Sequence, residues 1–218
     1  MKIFYVSLQR SGTKSFGNFF KKNDYRVLSW QQSYSLNLNQ LILDGQWLHF
    51  LKSGLIEKFD VFEDSPFWVP EFVSFLYQYV PDSRFVYFSR PPADWYRSML
   101  THSDGLTLGS VDWHCYWYDR LDDLEMLRDN GRLSPKKLPM LGMQRHYERI
   151  FLEHERKIKA RFARFDASRF FVGKLYDKEK YKQMSEHFSL ELDYTADEHI
   201  HKSERTVSDV LSKHRFLY

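Results

Sequence analysis

Lys2-Ile3-Phe4-Tyr5-Val6-Ser7-Leu8-Gln9-Arg10-Ser11-Gly12-Thr13-Lys14-Ser15 begins as a near-continuous apolar run and ends as a polar turn holding one glycine. A strand that is apolar on both faces is buried on both faces, as in a parallel sheet. Phe16, Phe19 and Phe20 then recur at helical spacing, so the reading is strand, polar loop, helix. The pattern repeats downstream. Phe59-Asp60-Val61-Phe62 is a second short strand, stopped at Glu63-Asp64-Ser65-Pro66 and followed by an aromatic-faced helix over 69–79. Arg84-Phe85-Val86-Tyr87-Phe88-Ser89 is the strongest strand signal, and Pro91-Pro92 open a helix over 93–100, since proline suits a first helical turn.

Outward from these units, residues 35–53 read as a helix interrupted or bent near Gly45, and 111–128, 144–165 and 178–188 as further helices. Residues 169–173 read as another strand, 101–110 and 130–139 as connectors, and 194–218 as a polar tail. Strands alternating with helices predict an α/β fold, three layers α/β/α around a central parallel sheet. With no repeat, low-complexity tract or long linker, the expectation is a single domain over 1–218.

Hydrophobic residues make up 43% and aromatics 18%, which excludes a disordered chain. Lys+Arg 32 against Asp+Glu 29 leaves a formal charge of +3. That is too balanced for a nucleic-acid binder and suits a local basic pocket for a small anion. The single cysteine, Cys115, excludes an intramolecular disulfide. The nine histidines show no zinc spacing, so no metal is expected. The apolar start reaches Arg10 at once, too short for a signal peptide or a span of about 20 apolar residues. The expectation is a cytoplasmic protein with no membrane partner.

A glycine turn between a buried strand and a helix gathers backbone N–H groups at a helix N-terminus, where anions are favoured. Arg10 and Lys14 add charge, and Ser11, Thr13 and Ser15 add hydroxyls. The nucleotide-kinase loop needs adjacent Gly and Lys with a second Gly upstream. Here Thr13 separates Gly12 from Lys14 and the upstream Gly is missing. The competing reading is a plain helix cap by Ser11 or Thr13.

A second strand delivers Arg90 to the carboxyl edge of the sheet, where open parallel sheets bind ligands. Its planar guanidinium matches phosphate oxygens, and Ser98 adds a neutral donor. The alternative for Arg90 is an ion pair with Asp94. Glu63 and Asp64 end the second strand at the same edge as adjacent carboxylates, groups that can take a proton. The alternative for them is structural pairing with Arg10 or Lys14. His102 is another group that can take a proton, or a plain surface histidine, and Trp68, Trp95, Trp113 and Trp117 are candidate stacking surfaces for a sugar-like ligand or, more simply, core.

Arg10, Gly12, Thr13, Lys14 and Ser15 resemble the phosphosulfate-binding loop of sulfotransferases that use 3′-phosphoadenosine-5′-phosphosulfate (PAPS). Arg90 and Ser98, around Asp94-Trp95-Tyr96-Arg97, resemble the pair with which that family holds the 3′-phosphate. Asp64-Ser65-Pro66 resembles an Asp-any-Pro turn of some bacterial members, which implies a general base here, Asp64 first and Glu63 second, and His199-Ile200-His201-Lys202-Ser203 resembles the family's late nucleotide-covering loop. Gln9 and Lys14 depart from the more usual Pro and Thr. The resemblance implies a fold like that of P-loop nucleotide kinases and sulfuryl transfer to a hydroxyl or amine of a small-molecule or carbohydrate acceptor. It also implies donor contacts from residues 10–15, Arg90, Ser98, His201 and Lys202, with Arg10, Lys14 and a carboxylate in catalysis. The competing functions are a P-loop kinase-like phosphotransferase using ATP and magnesium, and a non-catalytic nucleotide-binding module.

Overall fold

A computed structural model describes residues 1–129, 137–194 and 206–213. The chain divides into two compact units, Met1–Arg90 with His154–His201 and Pro91–Glu153 with Lys202–Tyr218.

The first unit holds β1 (Lys2–Tyr5), α1 (Thr13–Lys22), β2 (Val27–Leu28), α2 (Trp30–Ser35), α3 (Leu38–Leu43), α4 (Trp47–Lys52) and α5 (Leu55–Lys58). β3 (Val61–Phe62), α6 (Pro70–Tyr79) and β4 (Ser83–Ser89) complete its first segment. The second unit holds α7 (Pro92–His102), α8 (Val111–Trp117) and α9 (Leu121–Asp129). The division falls within α10 (Gln144–Phe162), after which β5 (Phe170–Lys174) and α11 (Lys180–Phe188) return to the first unit. α12 (Val207–Lys213) belongs to the second.

The five strands form one all-parallel sheet in the order β2-β3-β1-β4-β5. The chain leaves central β1 for edge strand β2, returns to β3, then crosses to β4 on the other side of β1. This reversal is the switch point at which open parallel sheets form a ligand crevice.

Side-chain alternation fills both faces. Phe62, Phe4 and Phe85 are aligned across β3, β1 and β4. Phe4 stacks on Phe62 at 4.5 Å and on Phe85 at 5.6 Å between ring centroids. Phe50, Phe67 and Phe72 extend this layer, and Phe162 of α10 packs on Phe85 and Phe170. The opposite face carries Ile3, Tyr5, Val86 and Phe88 against Phe16, Phe19 and Phe20 of α1 and Tyr181, Met184 and Phe188 of α11. The expected α/β/α layering is therefore what the chain builds.

Departures from the sequence reading have local causes. The helix expected over 111–128 breaks where Asp119 takes a left-handed conformation, φ 55°. Near Gly45, where an interruption or bend is expected, the structure has the interruption, between α3 and α4, with Gly45 at φ 69°. β2 has two residues, too few for a periodicity. The tail expected to be polar throughout contains α12, which buries Val210; a Cβ on Gly105 would lie 2.9 Å from its Cγ1.

Phe4 is fully buried at the centre of the aromatic row. Phe4→Ala is expected to cost about 3–5 kcal/mol by lost contacts and the cavity left behind, measured as a lower urea midpoint at unchanged slope.

Candidate functional site

The turn after β1 is held from three sides within the first unit. Beyond β1, the Ser7 hydroxyl continues the ladder to β4, accepting from the Phe88 N–H at 2.8 Å. The buried Tyr5 hydroxyl donates to the Ser11 carbonyl, and burial pushes its pKa well up, so it stays a donor. Arg90, at the end of β4, donates from its guanidinium to the Arg10 carbonyl and to the Tyr176 hydroxyl, the latter at 2.7 Å.

Arg10 has φ 66°, a left-handed conformation that costs a non-glycine residue about 1–2 kcal/mol. Gly12 has φ 86° and is the N-cap of α1, with no side-chain capping bond. A Cβ there would lie 2.5 Å from Leu175 Cδ1, which is the movable end of a side chain, so it is the left-handed backbone that calls for glycine. The plain capping role for Ser11 or Thr13 is absent from this helix start. The Ser11 hydroxyl is buried without a hydrogen-bond partner among the described residues.

The Thr13 hydroxyl instead donates to Asp64 Oδ2 at 2.8 Å, joining the turn to the end of β3. Asp64 Oδ1 accepts from the Ser65 N–H, also at 2.8 Å. Asp64 is buried, with φ 62°, a conformation aspartate tolerates better than most residues. Burial raises its pKa; the bonds from Thr13 and Ser65 and the nearby Arg10 charge pull the other way. Burial likewise lowers the pKa of Arg10, which Asp64 opposes.

Glu63 is buried beside it. Its Oε1 accepts from the Trp30 N–H at 3.3 Å, and its Oε2 is buried without a partner among the described residues. Burial first, then the Asp64 charge, pushes its pKa up to about 7. A Cβ on Gly17 would sit 1.5 Å from that Oε2. Gly17, one helical turn into α1, thus opens the space for the carboxyl group. Sequence reading passed over Gly17 because a mid-helix glycine announces only a weaker helix. Tyr5 reads as an ordinary strand residue although its hydroxyl turns back to the Ser11 carbonyl, and the role of Tyr176 rests on a contact with Arg90, 86 positions away.

Arg10, Ser11, Gly12, Thr13, Glu63, Asp64 and Arg90 are therefore assembled at one sheet edge, with Lys14 and Ser15 opening α1 and Lys14 exposed. Ser98 stands on α7 in the second unit, where Asp94 pairs with Arg97 at 3.1 Å. His102 is exposed at the end of α7. His201 and Lys202 lie outside the described residues. Trp68, Trp95 and Trp113 are core, at most 6% exposed. Among the described residues, no group of three or more His, Cys, Asp or Glu is placed to hold a metal ion, and no helix is long and apolar enough to cross a membrane.

Comparison with known families matches residues 2–178 to the sulfotransferase domain family. The match takes in the turn, the carboxylate pair and the Arg90–Ser98 segment and stops before His201. No curated protein matches the chain.

The sign of the Glu63 shift gives a stability test. An acid at about 7 folded, against 4.5 ordinarily, contributes stability that is complete below pH 4.5 and is lost as pH rises to about 7. Glu63→Gln is expected to remove this loss, making the variant more stable than wild type at pH 8 by up to about 3 kcal/mol. Thermal unfolding of both proteins across pH 4–8 checks it. Gly17→Ala is expected to displace the Glu63 carboxyl and flatten the same pH dependence.

Proposed function

Because the chain belongs to the sulfotransferase domain family, we propose that it transfers the sulfuryl group of PAPS to the hydroxyl of a small-molecule acceptor. The observation that carries this reading is the Arg90–Arg10 contact, which ties the basic glycine turn to the strand end expected to grip the far phosphate. A nucleotide with phosphates at both the 3′ and 5′ positions suits two anion sites on neighbouring strands better than a single cradle does.

In this reading the backbone N–H groups of Gly12 and the first turn of α1, with the Ser15 hydroxyl, hold the 5′-phosphate. Arg90 and Ser98 hold the 3′-phosphate, and His201 and Lys202 cover the nucleotide. The donor supplies an activated sulfur whose bridging oxygen leaves as phosphate. Arg10 and Lys14 neutralise the charge gathering on that oxygen and on the sulfuryl oxygens. Asp64 takes the acceptor's proton as the acceptor oxygen bonds to sulfur. Burial keeps Asp64 basic, while Thr13 and Ser65 fix its direction. Glu63, protonated up to about neutral pH, keeps a second negative charge away from Asp64.

The nucleotide is tested first. Adenosine 3′,5′-bisphosphate should raise the melting temperature and ATP-magnesium should not; stabilisation by ATP-magnesium alone would identify a phosphotransferase instead. Mass-spectrometric assay of PAPS against an acceptor panel then tests turnover. Arg10→Ala and Asp64→Asn should each lower transfer by about 100-fold or more with the fold retained, and unchanged rates would remove them from the mechanism.

A further inference from the structure

Residues 30–43, Trp-Gln-Gln-Ser-Tyr-Ser-Leu-Asn-Leu-Asn-Gln-Leu-Ile-Leu, carry no charged side chain in a chain that is 28% charged. They include α2 and α3, which follow β2 at the edge of the sheet occupied by the carboxylate pair. The Trp30 N–H bonds Glu63, and Asn39 accepts from the Ser65 hydroxyl, so this segment is fastened to the Glu63-Asp64-Ser65 turn at two points. The two bonds set the uncharged helices directly beside the proposed base.

Trp30 and Tyr34, four residues apart on α2, lie with ring centroids 5.8 Å apart and planes 25° from parallel. They stay 40% and 63% exposed, unlike the buried Trp68, Trp95 and Trp113. An exposed aromatic pair keeps apolar ring surface in water, and its burial by a ligand is favourable.

We propose that Trp30 and Tyr34 form the acceptor platform and that the acceptor is a neutral carbohydrate. The C–H face of a sugar ring covers apolar ring surface, while its hydroxyls match the neutral amide and hydroxyl groups of Gln31, Asn39 and Ser35. A carboxylate, sulfate or ammonium on the acceptor would be desolvated against a segment with no countercharge. A flat phenol would cover the rings and leave the amides without hydrogen bonds. The assignment rests on the sulfotransferase reading, because it gives the sugar hydroxyl Asp64 as its base.

Saturation-transfer NMR tests it without requiring turnover. The probes are cellobiose, lactose and chitobiose, set beside a uronic-acid disaccharide, 4-nitrophenol and hexylamine, each with and without adenosine 3′,5′-bisphosphate. At least one neutral disaccharide should bind and the other three compounds should not. Trp30→Ala and Tyr34→Ala should each weaken sugar binding by about 10-fold or more, and Trp30→Phe should restore most of it. The melting-temperature shift with adenosine 3′,5′-bisphosphate should be unchanged in all three variants. Absence of sugar binding to the wild-type protein, sugar binding that survives both alanine variants, or preference for the uronate, phenol or amine would each overturn the assignment. Failure of the donor reading shows separately, as a missing shift with adenosine 3′,5′-bisphosphate while the sugar measurements stand on their own.

Discussion

The guanidinium of Arg90 reaches from the end of β4 to the backbone carbonyl of Arg10, beyond the end of the neighbouring strand β1. That contact helps hold Arg10 in a left-handed conformation the residue would otherwise leave. Ser7 beneath it extends the β1–β4 ladder, and Tyr5 grips the Ser11 carbonyl from inside the core. The turn is thus shaped by the chain's own hydrogen bonds, with Arg10 and Arg90 at one edge. Burial of Arg10, first, and repulsion from Arg90 both lower its pKa, while the Asp64 charge opposes them.

Against that positive edge the chain places two adjacent buried carboxyls. The Asp64 charge helps raise the pKa of Glu63, and the two are held differently. Asp64 is bonded through both oxygens, to Thr13 and Ser65, whereas Glu63 is bonded through one and leaves the other buried without a partner among the described residues. The better-solvated charge in such a pair is the one that stays ionised, and here hydrogen bonds stand in for solvent on Asp64. Thr13 is the shared member. Its backbone belongs to the first turn of α1 and its hydroxyl to the carboxylate, so the anion turn and the candidate base move together.

The two neutral helices α2 and α3 complete this edge, and they draw on a different part of the physics. The charged groups near Gly12 and Asp64 act through fields and fixed donors. Trp30 and Tyr34 offer exposed ring surface on a segment whose polar groups are all neutral. In the proposed site, charge recognition and ring recognition fall on separate elements, both anchored to the end of β3.

The order of the layers, the parallel sheet and the turn around Gly12 were legible in the sequence because they depend on local patterns. Buried strands read as apolar runs, helices repeat at their own period, and a glycine between them marks a turn. Glu63, Asp64 and Arg90 were legible as charges at strand ends, where a parallel sheet exposes its ligand edge. The pairing of Thr13 with Asp64, the space Gly17 makes for Glu63, and the grip of Arg90 on Arg10 were not. These depend on which strands become neighbours, and β1 pairs with β3 and β4, whose residues lie about 60 and 80 positions away in the chain. Pattern along the chain gives the elements and their chemistry; only the sheet order, set by how both aromatic faces are buried, decides which side chains meet.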